Sequence, residues 1–123
     1  MNDQWMKLLV QLRKRYTALT EIYDLTVQMG EALDRDDGTS FGMLLSMRQE
    51  PLLRMQELDE NIRRIGKTDA PDIQERWDAL LDGQAPCDAD EDMVVKQMQQ
   101  NRRLIERLVP LDSRINQSLA GRK

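Results

Sequence analysis

A chain of 123 residues that is 33% charged, 40% hydrophobic and only 4% aromatic has room for one core, and its composition is that of a helical bundle rather than a sheet protein. It has no His, which removes at once the commonest general base, the commonest metal ligand and the usual pH switch. The net charge of −4 is uneven: residues 68–92 hold nine acids against one base, and residues 93–123 seven bases against two acids. An acidic protein overall is a poor general nucleic-acid binder, so no nucleic-acid partner is expected.

Residues 2–35 read as one long helix. Trp5, Leu9, Leu12, Tyr16, Leu19, Tyr23 and Leu33 keep a four-three spacing, and a second row of Leu8, Ile22 and Met29 widens the apolar face. Such a helix is about 45–50 Å long and needs a partner along its length. Asp34–Ser40 reads as a turn, with Gly38 to supply a positive backbone angle and Asp37, Thr39 or Ser40 to cap the next helix. A connection this short makes the first two helices antiparallel neighbours.

The second helix is expected over 40–65, with Gly66 as a stop just past its end. Its apolar row is Phe41, Leu45, Leu52, Met55 and Ile62, flanked by Leu44, Leu58 and Ile65, and the rest of the chain reads as built to cover it. Arg48 and Asp59 interrupt the row, and Pro51 should kink or restart the helix. A short third helix over 71–82 carries Ile73, Trp77, Leu80 and Leu81, with Thr68 or Asp69 as its cap and Gly83 as its end. The acidic linker 83–90 is expected to be the most mobile segment.

The last helix is expected over 91–120, opened by Asp88 with Glu91 as a capping box. Its row is Val94, Met98, Ile105, Leu108, Ile115 and Leu119, with Asn101 and Asp112 in the same row as polar register-setters. Pro110 should bend or interrupt it, and Gly121–Lys123 should fray. Together these elements predict an all-α fold: a single-domain antiparallel helical bundle of three long helices plus one short helix, packed like a coiled coil.

The pattern holds little catalytic equipment. Asp88, Asp90 and Asp92 have the alternate spacing of a calcium loop, but Met93 and Gln99 stand where Gly and Glu are needed. No Gly-rich phosphate loop is present, and Ser or Thr nucleophiles lack a His partner. The lone Cys87 reads as a spectator thiol, and the lack of a disulfide framework suits a reducing cytoplasm. No cofactor, metal, enzymatic activity or membrane span is expected.

Two passages carry a family resemblance. One runs from Leu44 to Asp59 and ends in Asn61-Ile62; the other is Asn101-Arg-Arg-Leu-Ile-Glu-Arg-Leu-Val-Pro-Leu-Asp-Ser-Arg-Ile115. With the long first helix and its Asp/Gly turn they resemble the flagellar type III export chaperones of the FliT and FlgN type, and Pro51 and Pro110 depart from that pattern. The resemblance implies a cytoplasmic helical chaperone. It would bind an amphipathic helix of a hook-associated or filament-cap protein before type III secretion, apolar stripe against apolar stripe. Candidate partner-binding residues are Leu104, Ile105, Leu108, Leu111 and Ile115, with Met43, Met47 and Met55 helping to line a groove. Arg102, Arg103 and Arg107 would orient an acidic client or stay in water.

Two other classes fit the same pattern. A structural protein that self-associates would use Trp5, Leu9, Leu12, Tyr16, Leu19 and Tyr23 as a homodimer seam. A regulator that binds a transcription factor would release its basic tail from the acidic connector as a switch.

Overall fold

The computed structural model describes residues 1–67 and 70–122, and every regular element among them is an α-helix: α1 (Asp3–Asp34), α2 (Gly38–Gly66), α3 (Pro71–Leu81) and α4 (Ala89–Ala120). Local chemistry sets most of the ends. Asn2 caps α1, its side chain accepting from the Gln4 amide at 2.8 Å, and its own N–H donates to Asp90 Oδ2 at 2.9 Å at the head of α4. The C-terminus of α1 closes in a Schellman turn: Asp36 N–H donates to Leu33 O and Asp37 N–H to Ala32 O. The positive φ of that turn, 56°, belongs to Asp36, whose short polar side chain tolerates it, and not to Gly38, which is the first residue of α2. Asp37 caps α2 by accepting from Ser40 N–H at 3.0 Å, and hydrogen bonding from the Ser40 side chain and then from this amide holds its carboxyl below the usual carboxylate range. A second Schellman turn ends α3, with Gly83 at φ 92°.

Thr68 and Asp69, the expected caps of α3, lie outside the described residues, as does Lys123. Ala70 takes the N-cap position and Pro71 opens the helix.

Neither interior proline breaks its helix, so the restart allowed at Pro51 and the interruption allowed at Pro110 do not occur. α2 runs through Pro51 and α4 through Pro110, so residues 111–120 are not a separate tail. Pro51 is buried in the same row as Leu44 and Leu58, and this packing holds the helix across the missing amide. Gly121–Lys123 was expected to fray, yet Arg122 donates to Leu33 O at 2.7 Å and pairs with Asp36 at 2.9 Å.

The centre of the bundle is α1, not α2. Trp5, Leu8, Leu9, Leu12, Leu19, Ile22, Met29 and Leu33 are all buried, whereas α2 buries only Leu44, Pro51, Leu58 and Gly66. Along α1, α2 runs antiparallel: Gln11 meets Asn61, Arg15 meets Asp59, Glu21 meets Arg54 and Thr26 meets Arg48. Helix α4 runs parallel to α1, as Leu12–Asn101, Tyr23–Arg107 and Leu33–Arg122 show. The long helices α2 and α4 each pack along α1 but meet each other little.

The core is correspondingly divided. One cluster joins the first half of α1 to Trp77, Leu80 and Val94; the other joins Met29, Ala32 and Leu33 to Leu44 and Ile115. Between them Thr26 Oγ1 accepts from Arg48 Nη1, which also donates to Asp112 Oδ1, tying α1, α2 and α4 in the middle of the bundle.

An open seam between the second and last helices

Because α2 and α4 flank α1 without closing on each other, a seam runs between them with α1 as its floor. Each helix has more than one apolar row, and geometry decides their fates. On α2 the flanking row Leu44–Leu58 faces α1, while Leu52, Met55 and Ile62 of the expected core row are only half-buried and Leu45 is exposed. On α4, Val94, Asn101, Leu104 and Ile115 turn inward, while Met98, Ile105 and Leu108 are half-buried.

Two clefts succeed one another along this seam. Nearer α3, a cleft of about 390 Å³ is bounded by Leu12, Ile62, Trp77, Leu81, Met98 and Ile105, with Arg15, Asp59, Arg102 and Glu106 at its edges. Farther along, a cleft of about 660 Å³ lies over Ile22, between Arg48 and Leu52 on α2 and Leu108, Val109 and Asp112 on α4. From Met98 to Ala120 the α4 wall spans about 33 Å at the helical rise. Two charge pairs cross between helices along the walls, Arg15 with Asp59 at 2.7 Å and Arg48 with Asp112 at 2.9 Å, and Ser113, Asn116 and Gln117 add neutral polar side chains to the α4 wall, so no single sign dominates the seam.

The structure brings together some of the residues expected from sequence and separates others. Ile105 and Leu108 face the seam. Leu104 and Ile115 are core residues, and Leu111 with Ile115 lines a small cleft of about 200 Å³ against Gly30 on the other flank of α1. Met55 is half-buried and Met43 and Met47 are exposed, at 60% and 53%, and none of the three lines either seam cleft. Arg107 is occupied by Tyr23, donating to its hydroxyl at 3.1 Å and lying 4.9 Å above its ring. Arg102 edges the upper cleft, and Arg103 is exposed. The stripe expected to serve as a dimer seam is spent inside the chain: Trp5, Leu9, Leu12 and Leu19 are buried and Tyr16 and Tyr23 half-buried, which leaves them little surface for a second copy.

Two residues at the closed end of the seam do more than their local sequence indicates. Gly66 is the last residue of α2, not a stop beyond it, and it is buried beneath the Trp77 indole. A Cβ at Gly66 would stand 2.5 Å from Trp77 Nε1 and 2.6 Å from Cδ1, so only Gly lets α3 seat here. Glu91, 3% exposed, does more than complete a cap: it accepts from Arg76 Nη2 at 2.6 Å and from the Cys87 amide at 3.1 Å, while Asp88 caps α4 through Glu91 N–H. The Arg76 guanidinium holds the Glu91 carboxyl below its ordinary value despite burial. Arg76 also donates to Ala85 O at 3.3 Å, so the acidic linker expected to be most mobile is anchored at both ends, and its partner is α3 rather than the basic end of α4. Arg76 as the one base among nine acids was the available signal.

Among the described residues no helix is long and apolar enough to cross a membrane, and no cluster of acidic or Cys side chains is arranged to hold a metal ion. Compared with protein-family models, curated proteins and solved structures, the chain matches none.

Proposed function

We propose that this chain is a cytoplasmic export chaperone that holds one amphipathic helix of a hook-associated or filament-cap protein in the seam between α2 and α4, ahead of type III secretion. The observation that carries the reading is the pair of half-uncovered apolar walls, Leu52 and Ile62 on α2 and Met98, Ile105 and Leu108 on α4, facing each other across the floor of α1. A bundle with three long helices and an unfilled fourth position buries its remaining apolar surface by accepting a helix from outside. The resemblance of residues 44–62 and 101–115 to the flagellar export chaperones supplies the class of client.

The energetics suit a chaperone that must release its client. Completing the burial of a half-exposed Leu, Ile or Met gains about 1 kcal/mol, so six to eight such side chains gain roughly 6–8 kcal/mol before ordering costs. Without those costs the gain corresponds to a Kd of roughly 1–40 μM, and the costs weaken binding further. Co-purification from a flagellated host should recover a hook-associated or filament-cap protein, and titration with its isolated terminal helix should saturate at one helix per chain. Recovery of no such protein, with its gene intact in that host, defeats the reading.

A further inference from the structure

An apolar seam alone does not set register, because a helix can slide along it by one turn and bury nearly the same surface. This chain sets register in its own closed seam with a buried polar tie: Asn101 Nδ2 donates to Leu12 O at 3.1 Å between α4 and α1. The open seam holds an unfinished tie of the same kind. Arg48 lies on the wall of the larger cleft, one turn from Leu52 and opposite Leu108, with its side chain 16% exposed. Its Nη1 donates both to Thr26 Oγ1 at 3.1 Å and to Asp112 Oδ1 at 2.9 Å. Its Nη2 makes no hydrogen bond among the described residues and keeps accessible surface, while its Nε, also without an acceptor there, is covered by the chain itself.

We propose that the helix bound in this seam carries one neutral acceptor side chain, Gln or Asn, in the middle of an otherwise apolar stripe, and that its amide oxygen is received by Arg48 Nη2. This rests on the helix-binding reading above. A helix laid over the cleft removes the remaining water from Arg48, and a guanidinium donor then left without an acceptor opposes binding. A purely apolar stripe is therefore selected against at this point, and an acceptor oxygen is selected for. Asp112 already balances the charge of Arg48, so a neutral amide serves where a second carboxylate would face Asp112 at close range. One polar position in the stripe then fixes which turn of the client lies over Ile22.

The test uses the full chain and synthetic helical peptides of about 25 residues, enough to span the seam. Each has a Leu/Ile stripe and differs only at one central stripe position, which is Gln, Leu, Glu or Lys. Titration calorimetry should show the Gln peptide binding about tenfold more tightly than the Leu peptide, with Glu weaker than Gln and Lys weakest. That preference for Gln should vanish in Arg48→Met and in Arg48→Gln, both checked for an unchanged helical signal. Equal or tighter binding of the Leu peptide by the unsubstituted chain overturns the register tie and leaves helix binding standing, as does a Gln preference that survives in folded Arg48→Met. Tightest binding by the Glu peptide overturns the neutral-acceptor assignment. Failure of every peptide to bind overturns both this proposal and the groove itself.

Discussion

The same substitution, Gly to Ala, should have opposite effects at two helical positions, because packing rather than propensity decides the sign. At Gly30, in the interior of α1, a Cβ meets nothing within 4 Å, so Gly30→Ala should gain the helix-propensity difference, up to about 1 kcal/mol. At Gly66 the propensity gain is smaller, since the residue ends α2, and the new methyl would overlap the indole of Trp77 at 2.5 and 2.6 Å. Restoring ordinary carbon contact requires the ring to move by about 1 Å. That ring is 5% exposed and sits in one cluster with Trp5, Leu8, Leu9, Leu12, Leu80 and Val94, so it has little room to give. Overpacking of this kind costs about 1–3 kcal/mol, which outweighs the gain and leaves Gly66→Ala less stable by about 1–2 kcal/mol. The assay is urea unfolding with Trp77 fluorescence read in a Trp5→Phe background. Gly66→Ala should lower the midpoint and shift the emission of the folded state to the red, while Gly30→Ala should raise the midpoint and leave the spectrum alone. An unshifted emission together with a raised midpoint for Gly66→Ala would refute the assignment of Gly66 as the seat of α3.

Three further outcomes are expected from the same contacts. Removing the buried tie with Asn101→Ala, which strips the partner from Leu12 O and from Gln97 Nε2, should cost about 2 kcal/mol by thermal or urea unfolding, and a loss under about 0.5 kcal/mol would deny it a role in seating α4. The Glu91 carboxyl is held below its ordinary value of 4.5, so the stability it adds is present above that pH and is lost as pH falls through its folded-state value; Glu91→Gln should flatten the acid limb of a stability-versus-pH profile, and an unchanged limb would contradict the pairing with Arg76. Leu108→Glu and Ile105→Glu should weaken client binding about hundredfold with a nearly unchanged melting temperature, because both side chains are half-exposed at the seam, whereas Met43→Glu and Met47→Glu, both outside it, should change binding little.

The division of the core explains why a seam can stay open in so small a protein. Stability is concentrated at the two ends, where Trp77, Leu80 and Val94 close one cluster and Leu44 and Ile115 the other. The middle is held by Arg48, Thr26 and Asp112, a tie across three helices that does not require α2 and α4 to approach closely. The outer flanks of α1 are finished by longer-reaching pairs, Arg54 with Glu21 on the α2 side and Arg107 with Tyr23 on the α4 side. The open surface is thereby left to the seam.

Much of this protein is written into short-range pattern. Four helices, their near-residue limits and the caps at Asp37 and Asp88 arise from side chains that satisfy backbone groups a few residues away, so composition and spacing are enough to find them. The same local rules leave a kink and a break both open at Pro51 and Pro110, and there the packing on either side keeps the helix continuous. What only the tertiary structure decides is which apolar row is covered. On α2 periodicity ranks the row through Leu52 first and the row through Leu44 as its flank, and the structure reverses them because of where the neighbours stand: α2 and α4 both pack along α1 and meet each other little, so the Leu44 row is buried against α1 and the Leu52 row is left beside a cleft. Periodicity records that a face is apolar; it carries no record of how many helices arrive to cover it.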